Sequence, residues 1–413
     1  MKKSVIIWGF ILLCGIILGN NQYSSNYRLK VPNAMNAESI TIRDMFNREV
    51  EIPFEVNRVV GTGAGALRYI VYMNGTDKVV GVENIEREEE ADSAAEMRPY
   101  FFAHPELQYL PSIGEKWGGN PELIVQADPD VVITTNENQA GDLDNLQAML
   151  GIPVIGLIYG DLSENLNLLW DGLNITAQIL GTLDRFYQFK IYLEGLLDDL
   201  DERTRNISSV QNKTCYVGGI SYRGGHGIDS TMPMFDSFVL VHANNVAQNI
   251  SQDHAFIDPE QLLVWDPEII FIDGGGFSLT QNDFKTGNFD TLQAVQNQNI
   301  YVLLPYNSYT VNFGSVLINT YYVGKVLYPT AFEDIDINTT AAEIYESFVG
   351  KNVLPDLMEM FQYYAKTTQN ALEHYFIPEN NSNRILGYPI LLIGVIFMLI
   401  IPLLVLKSKI KWT

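Results

Sequence analysis

The chain carries one fifteen-residue pattern twice, without a gap, at residues 120–134 and again at residues 258–272. Each copy opens with a helix-capping residue, Asn120 or Asp258, and continues with a proline that suits the first helical position. An Asp-Pro pair then ends the predicted helix, because a residue that precedes proline avoids the right-handed helical conformation. The apolar run that follows is typical of a parallel strand covered on both faces. The repeat therefore predicts two similar helix–turn–strand units in two α/β lobes, with two unrelated units of one large sheet as the alternative.

The two ends of the chain predict where the protein is located. Lys2 and Lys3 precede a short apolar stretch, so residues 1–20 are predicted to be a signal peptide or an N-terminal anchor. Residues 385–406 carry no charge and are long enough to cross a bilayer as a helix. Lysines follow at 407, 409 and 411, which predicts a cytoplasmic tail at 407–413. We therefore expect an extracytoplasmic domain tethered to the cell membrane by a C-terminal transmembrane helix, with a buried core helix as the alternative for residues 385–406.

The charge of the chain excludes one class of partner. The formal net charge is −23, and the rest of the chain carries −28 once the five lysines of the two terminal segments are set aside. Such an acidic surface repels nucleic acid, so we expect no nucleic-acid partner. Outside the predicted signal only Cys215 remains, so no intramolecular disulfide is expected. Seven Asn-x-Ser/Thr sequons are compatible with a glycoprotein and lie at Asn74, Asn174, Asn206, Asn212, Asn249, Asn338 and Asn380.

Hydrophobic periodicity and chain breakers divide the rest of the sequence. We predict an N-terminal α/β lobe at 38–162, a linking helix at 163–206, a C-terminal α/β lobe at 213–330, helices at 331–376 and a linker at 377–384. Each lobe is expected to hold a mostly parallel sheet, with strands at 58–62, 78–82, 131–133 and 154–157 in the first lobe and at 214–218, 269–272 and 300–303 in the second. The linking segment is either one long rigid helix or two helices broken at Gly181 or Gly195.

Candidate solute-binding residues follow strands, because open α/β sheets bind ligands at the carboxyl ends of their strands. The glycine-rich loop after the strand at 214–218 holds Ser221, Tyr222, Arg223 and His226. Its glycines let backbone N–H groups approach an anion, and an arginine offers a planar fork of donors. The alternative is structural, with Arg223 paired to a surface carboxylate and His226 capping a turn.

Further candidates lie in both lobes. Gly63 and Gly65 precede a predicted helix and are expected to present N–H groups to a cleft, and Trp117 lies just before the first repeat. In the second lobe Tyr306 and Tyr309 follow a strand and are predicted to face the cleft. The aromatic side chains Trp117 and Tyr222 suit stacking on a macrocycle or a catecholate.

The chain resembles the class III substrate-binding proteins of ABC importers, which handle ferric siderophores, haem, cobalamin and some oxyanions. The resemblance covers residues 38–375 and rests on the opening Arg58-Val-Val-Gly, the two repeats and the long helix between them. It implies two lobes joined by a rigid helix with little closure, a monomeric ectodomain, no cofactor, and an ABC permease and ATPase as partners. It also implies that an acidic residue on each lobe docks onto permease arginines, and the matching positions are Glu122 and Glu260.

The resemblance favours capture of a metal-containing nutrient, a ferric chelate or a corrinoid, in a cleft between the lobes. The alternative solute is an oxyanion such as molybdate or tungstate, for which Arg223 and His226 are suitable donors. An enzyme of another class, a membrane-tethered metallohydrolase, has little support because the sequence holds no H-E-x-x-H, G-x-S-x-G or P-loop motif. We therefore predict no catalytic residue and no metal ligand. A surface adhesion protein without a small ligand is the third class.

Overall fold

The computed structural model describes residues 38–87, 97–207 and 213–359. The predicted signal at 1–20, linker at 377–384, membrane span at 385–406 and tail at 407–413 all lie outside these residues. Within the described ranges, no helix has both the length and the apolar character needed to span a bilayer.

The first lobe is built on a parallel sheet preceded by a hairpin. The hairpin pairs β1 (Ser39–Arg43) with β2 (Glu49–Pro53) in antiparallel fashion. The sheet contains β3 (Val59–Thr62), β4 (Val79–Gly81), β5 (Val131–Thr134) and β6 (Val154–Gly156) in the order β4-β3-β5-β6. Its helices are α1 (Ala66–Tyr72), α2 (Pro99–Ala103), α3 (Pro121–Gln126) and α4 (Ala140–Leu150). All pairs within the sheet are parallel, as the fully buried apolar runs predict.

The second lobe has a sheet of the same kind. Its strands are β7 (Thr214–Gly218), β8 (Ser230–Thr231), β9 (Asn244–Asn245), β10 (Ala255–Phe256), β11 (Ile269–Asp273) and β12 (Ile300–Leu303). The parallel sheet has the order β12-β11-β7-β9, and β8 pairs with β10 in a separate antiparallel ladder. The helices are α7 (Asp236–Val239), α8 (Pro259–Trp265), α9 (Phe277–Lys285), α10 (Gln293–Gln296) and α11 (Phe313–Leu327). Two separate parallel sheets confirm the two-lobed α/β prediction.

The link between the lobes corrects the expectation of one long rigid helix. It consists of α5 (Leu166–Leu180) and α6 (Leu183–Thr204), and the chain breaks at Gly181, which has a left-handed φ of 73°. A glycine adopts this conformation at little steric cost, whereas a residue with a β-carbon would be strained there. Gly181 therefore ends α5. Gly195 lies inside α6, where it causes no break.

The C-terminal helices return to the first lobe. The helix α12 (Ile337–Val349) is capped by Asp336, whose side chain accepts from the Thr339 N–H, and it ends before Gly350. It contacts α11 and also α1 and α2 of the first lobe. Residues 354–359 are helical, and the remainder of the predicted C-terminal helices lies beyond the described residues.

The two repeats have the local structure that the sequence predicts. The Asn120 side chain accepts from the N–H of Glu122 at 2.9 Å, and the Asp258 side chain accepts from the N–H of Glu260 at 3.0 Å. The residue before each second proline is left-handed, with φ of 51° at Asp128 and 41° at Asp266. An aspartate tolerates this region better than most residues, and the reversal carries the chain from helix to strand.

One apolar core runs through both lobes. Val59 of β3 packs into the same cluster as Val217 of β7 and Phe271 of β11. The alternate residues of the strands face smaller clusters on the outer sides, such as Val60 in the first lobe and Tyr216 in the second. Because close-packed interiors resist deformation, we expect movement between the lobes to be small and rearrangement to be confined to loops.

Candidate functional site

The carboxyl ends of the strands of both sheets meet at one junction. Gly65 follows β3, and a β-carbon there would overlap the ring of Tyr159, which follows β6, and would lie 2.9 Å from Thr310 Cγ2 of the second lobe. The φ of Gly65 is 96°, so both its backbone conformation and its surroundings require glycine. Parallel sheets bind ligands at this end, so the junction is the candidate solute site.

The second lobe contributes residues 307–312 to this junction, a segment that we call the junction turn. Tyr309 and Thr310 both have left-handed backbone conformations, with φ of 49° and 78°. This region is sterically costly, above all for a β-branched residue such as Thr310. The turn closes on itself through the Ser308 N–H, which donates to the Thr310 carbonyl at 3.0 Å. Such strain persists only where surrounding contacts impose it, and here those contacts come from the first lobe.

Arg68 of α1 holds both ends of the junction turn. Its side chain is 1% exposed, and its Nη2 donates to the Ser308 carbonyl at 3.0 Å and to Asn312 Oδ1 at 2.8 Å. Its Nη1 donates to the hydroxyl of Tyr159 at 3.0 Å, and that hydroxyl donates to the Val311 carbonyl at 3.1 Å. Nε is buried without an acceptor. Among the described residues no carboxylate pairs with this guanidinium.

Glu83 follows β4 and holds the middle of the same turn. Its Oε1 accepts from the backbone N–H of Gly63 at 3.1 Å and of Gly118 at 2.9 Å, and its Oε2 accepts from the Tyr309 hydroxyl at 2.7 Å. Burial raises the pKa of Glu83 above its ordinary value, and these three hydrogen bonds partly offset the rise. Arg68 and Glu83 of the first lobe therefore carry opposite buried charges, and both form hydrogen bonds with the junction turn of the second lobe.

The predicted residues of the first lobe lie at the junction, although Gly63 has another role than expected. Its N–H donates to Glu83 rather than being presented to a solute. Trp117 is 57% exposed, its N–H donates to the Tyr309 hydroxyl at 2.9 Å, and its ring meets that of Tyr309 edge-on at 5.1 Å. The loop around Trp117 and the junction turn are therefore in direct contact.

The predicted loop of the second lobe forms an aromatic cluster at its surface. The ring of Tyr222 stacks on His254 at 4.3 Å, and the Arg223 guanidinium lies 5.5 Å from the centre of the Tyr222 ring. His226 donates from Nε2 to the Tyr222 carbonyl at 2.7 Å and packs edge-on against Phe256. Arg223 has no carboxylate partner among the described residues, so the structure does not support the alternative of a surface ion pair. Ser221 joins this cluster to the junction, because its carbonyl accepts from the Asn307 side chain at 3.0 Å.

Tyr306 does not face the cleft, which corrects the prediction for this residue. It is 4% exposed, its hydroxyl donates to Asp236 at 3.2 Å, and its ring packs against Phe235. Its N–H donates to Asp273 Oδ1 at 2.6 Å, which fixes the start of the loop that carries the junction turn. Tyr309, three residues later, is the tyrosine that reaches the first lobe.

The two acidic residues of the repeats lie on the surface. Glu122 and Glu260 are exposed in the first turns of α3 and α8. They differ in their neighbours, because the carboxyl of Asp258 beside Glu260 raises the pKa of Glu260, whereas the cap beside Glu122 is the neutral Asn120. In the described part of the chain, no three His, Cys, Asp or Glu side chains are grouped to hold a metal ion.

The sequence prediction missed Arg68, Glu83 and Tyr159. Arg68 is the one charge within the apolar stretch 66–73, and such a charge in a helix that enters a core is a usable signal. Glu83 follows the short strand β4 at its carboxyl end, which is the same positional rule that selected Gly63. Nothing in the sequence marks Tyr159 beyond its place after β6.

Comparisons with known proteins agree with this architecture. A family model described as periplasmic binding protein matches residues 62–306, more than half of the chain. The molybdate-binding protein MolA of Haemophilus influenzae is 22% identical over 347 residues, covering 76% of this chain and 92% of its own.

Solved structures show the same fold at low sequence identity. MolA bound to molybdate has a TM-score of 0.60 at 18% identity and covers 76% of this chain and 98% of its own. A periplasmic solute binding protein from Veillonella parvula has a TM-score of 0.62 at 18% identity, over 78% and 96% of the two chains. CeuE of Helicobacter pylori with Ni(II) bound has a TM-score of 0.55 at 19% identity, over 78% and 99%. The chain therefore belongs to the periplasmic binding protein family and is a solute-binding protein of an ABC transporter.

Proposed function

We propose that the solute is a small oxyanion, bound where the two sheets meet and delivered from there to the permease. The observation that carries this proposal is Arg68, a buried guanidinium whose described hydrogen-bond partners are all neutral oxygen atoms. A buried charge without a counter-charge is costly, and an anion at this place would offset that cost. A guanidinium also presents several donors in one plane, which suits the oxygens of a tetrahedral anion.

The closeness of the two lobes supports a small solute. The junction turn already meets the first lobe at hydrogen-bond distance through Arg68, Glu83 and Trp117. A corrinoid or a large chelate would require these edges to part, and the shared apolar core opposes such a movement. A small anion requires only that the junction turn shift. The relative MolA, described as binding molybdate, is consistent with a solute of this size.

A metal chelate is the second candidate, and the aromatic cluster favours it. Tyr222 and Phe256 are about half exposed, and Arg223 lies against the Tyr222 ring. Exposed aromatic faces beside a cation suit the planar, anionic rings of a catecholate complex. This candidate places the solute on the rim formed by the second lobe rather than at Arg68.

Native mass spectrometry of the full-length chain in detergent separates the two candidates. We expect one molybdate or one tungstate ion to bind per protein chain, because the proposed Arg68 site holds a single small anion. Ferric siderophores and cobalamin are expected to leave the mass unchanged under the same conditions. Binding of a chelate or of cobalamin, with no binding of either oxyanion, would replace the oxyanion proposal with the second candidate.

Delivery to the permease is proposed to run through Glu122 and Glu260. Reversing both charges, Glu122→Lys with Glu260→Lys, is expected to abolish solute uptake by cells, because docking depends on paired charges. The same change should leave molybdate affinity of the purified protein within about threefold, since screened charges on the outer surface act weakly on a buried site. The matched control is Glu164→Lys with Glu202→Lys, which reverses two other exposed acids. Uptake that survives the first pair, or is lost equally with the control, would remove these glutamates from docking.

A further inference from the structure

We propose that Glu83 and Tyr309 form a latch between the lobes, which competes with the solute and which the solute must break in order to bind. The inference rests on the proposed function, because it takes Arg68 at the junction as the place where the solute binds. The latch consists of the Glu83 carboxylate, the Tyr309 hydroxyl and the N–H of Trp117, which donates to that hydroxyl. These groups come from both lobes, and they join the loop at 115–119 to the junction turn.

The Glu83 end of the latch is built for an anion. Two backbone N–H groups and one hydroxyl converge on a carboxylate that is buried and has no ion pair among the described residues. Burial raises the pKa of Glu83 most, and Glu86, which is itself paired with Arg98 at 3.0 Å, adds a smaller rise. A hydrogen bond to an ionised acceptor is roughly twice as strong as a neutral one, so the Tyr309 hydroxyl is held firmly.

The Tyr309 end stores backbone strain. Tyr309 and Thr310 are left-handed in succession, and so is Trp117, with a φ of 71°. Tight turns often contain left-handed residues in succession, but glycine or asparagine usually occupies them, so tyrosine, threonine and tryptophan in this region are strained. Loss of the Glu83 contact would let the junction turn relax, so the latch and the strain oppose each other.

The latch competes with the solute because both act on the same segment. The acceptors that now occupy Arg68 are the Ser308 carbonyl and Asn312 Oδ1, at the two ends of the junction turn. An oxyanion that takes their place on Arg68 must displace that turn. Tyr309 lies between these two residues and is fastened to Glu83. Breaking the latch is therefore part of the free energy of solute binding.

Tyr309→Phe tests the latch, because it removes the hydroxyl and keeps the ring. We expect this variant of the full-length chain to bind molybdate about tenfold more tightly and to associate faster, as follows from the loss of one charge-assisted hydrogen bond in the solute-free form. Calorimetry gives the affinity and stopped-flow mixing gives the rate. The control is Tyr187→Phe, an exposed tyrosine of α6, which should change neither. Affinity that is unchanged or weaker in Tyr309→Phe would overturn the latch.

Glu83→Gln shows whether Tyr309 acts through Glu83. The amide keeps an oxygen for the two N–H groups and donates to the Tyr309 oxygen, but it carries no charge, so a smaller gain in affinity is expected. In this background the gain from Tyr309→Phe should fall below about threefold, because two changes to one interaction are not additive. A gain that stays at about tenfold would mean that Tyr309 does not act through Glu83.

Hydrogen exchange of the solute-free protein distinguishes failure of the latch from failure of the proposed function. The peptide covering residues 115–119 contains the N–H of Trp117, which donates to Tyr309, and should exchange faster in Tyr309→Phe than in the wild type. If exchange quickens but molybdate binds to no variant, the Glu83–Tyr309 contact between the loops is supported, whereas the oxyanion proposal and the competition with an oxyanion both fail. If exchange is the same in both proteins, the latch is refuted whatever the solute.

Discussion

Replacing Arg68 with methionine is expected to weaken molybdate binding more than a hundredfold. Loss of one partner of a buried charged interaction costs about 3 kcal/mol, and every 1.4 kcal/mol is a factor of ten in affinity. Methionine has a similar length and no charge, so it fills the space in α1 without a new buried cation. The free energy of unfolding should change less, by about 2 kcal/mol at most, because removal of an unpaired charge offsets the loss of its hydrogen bonds. Calorimetric titration and urea denaturation of the full-length chain measure the two quantities.

Arg185→Met is the matched control for this prediction. Arg185 of α6 is half-buried, whereas Arg68 is fully buried. Arg185 donates to the carbonyl of Tyr72 at 2.9 Å and lies 5.2 Å from the centre of the Phe189 ring. The hydrogen-bond partners of Arg185 are neutral carbonyl groups, as for Arg68, but they belong to Tyr72 and Ser347 rather than to the junction turn. Loss of Arg185 should therefore destabilise the protein without changing its molybdate affinity. Arg68→Lys keeps the positive charge but loses the planar set of guanidinium donors, so we expect molybdate affinity to fall by about tenfold, between the wild type and Arg68→Met. Equal affinities for Arg68→Met and the wild type would exclude Arg68 from the solute site.

The sequence predicts the strands of the two parallel sheets well, because their positions follow from which residues are buried. The strands β7 and β12 have the predicted bounds, and β3, β5 and β11 differ by one residue at an end, since continuous apolar runs between turn residues leave little choice. The two-residue strand β9, Asn244–Asn245, is polar and carries no such signal. The hairpin β1–β2 was missed although it alternates buried and exposed residues, as a half-buried strand does. The linking segment is divided into two helices at Gly181, and the sequence alone could not decide between Gly181 and Gly195 as the position of the break.

The site is less predictable because its key residues are charges that the fold buries. The rule that solutes bind after strands selects Gly63, Gly65 and Trp117, and all three lie at the junction. The same rule cannot show that Arg68, in the first turn of α1, reaches the other lobe 240 residues along the chain. It also cannot separate Tyr306 from Tyr309, because their directions depend on the left-handed backbone at Tyr309 rather than on strand alternation.

The contribution of Asp273 to protein stability is expected to decline as pH rises from about 4 to about 7, because this carboxyl loses its proton over that range. This carboxyl lies at the end of β11 and is fully buried, and burial raises its pKa to about 7 although four backbone N–H groups favour its charged form. A group whose pKa is higher in the folded than in the unfolded protein holds its proton more firmly when folded. Its contribution to stability is therefore complete below the unfolded pKa of 3.8 and is lost as pH rises through about 7.

Asp273→Asn isolates this contribution. A difference of about three pKa units corresponds to up to about 4 kcal/mol, so the wild type should lose that much relative to the variant between pH 4 and pH 8. The side-chain NH2 of the asparagine cannot accept from the backbone N–H groups that surround this position. The resulting loss of stability does not vary with pH. Asp236, whose pKa burial raises to about 6, acts in the same direction in both proteins and cancels from their difference. Urea denaturation at several pH values measures the difference, and a constant value across this range would show that Asp273 stays ionised, held by the N–H groups of the loops that lead into the junction.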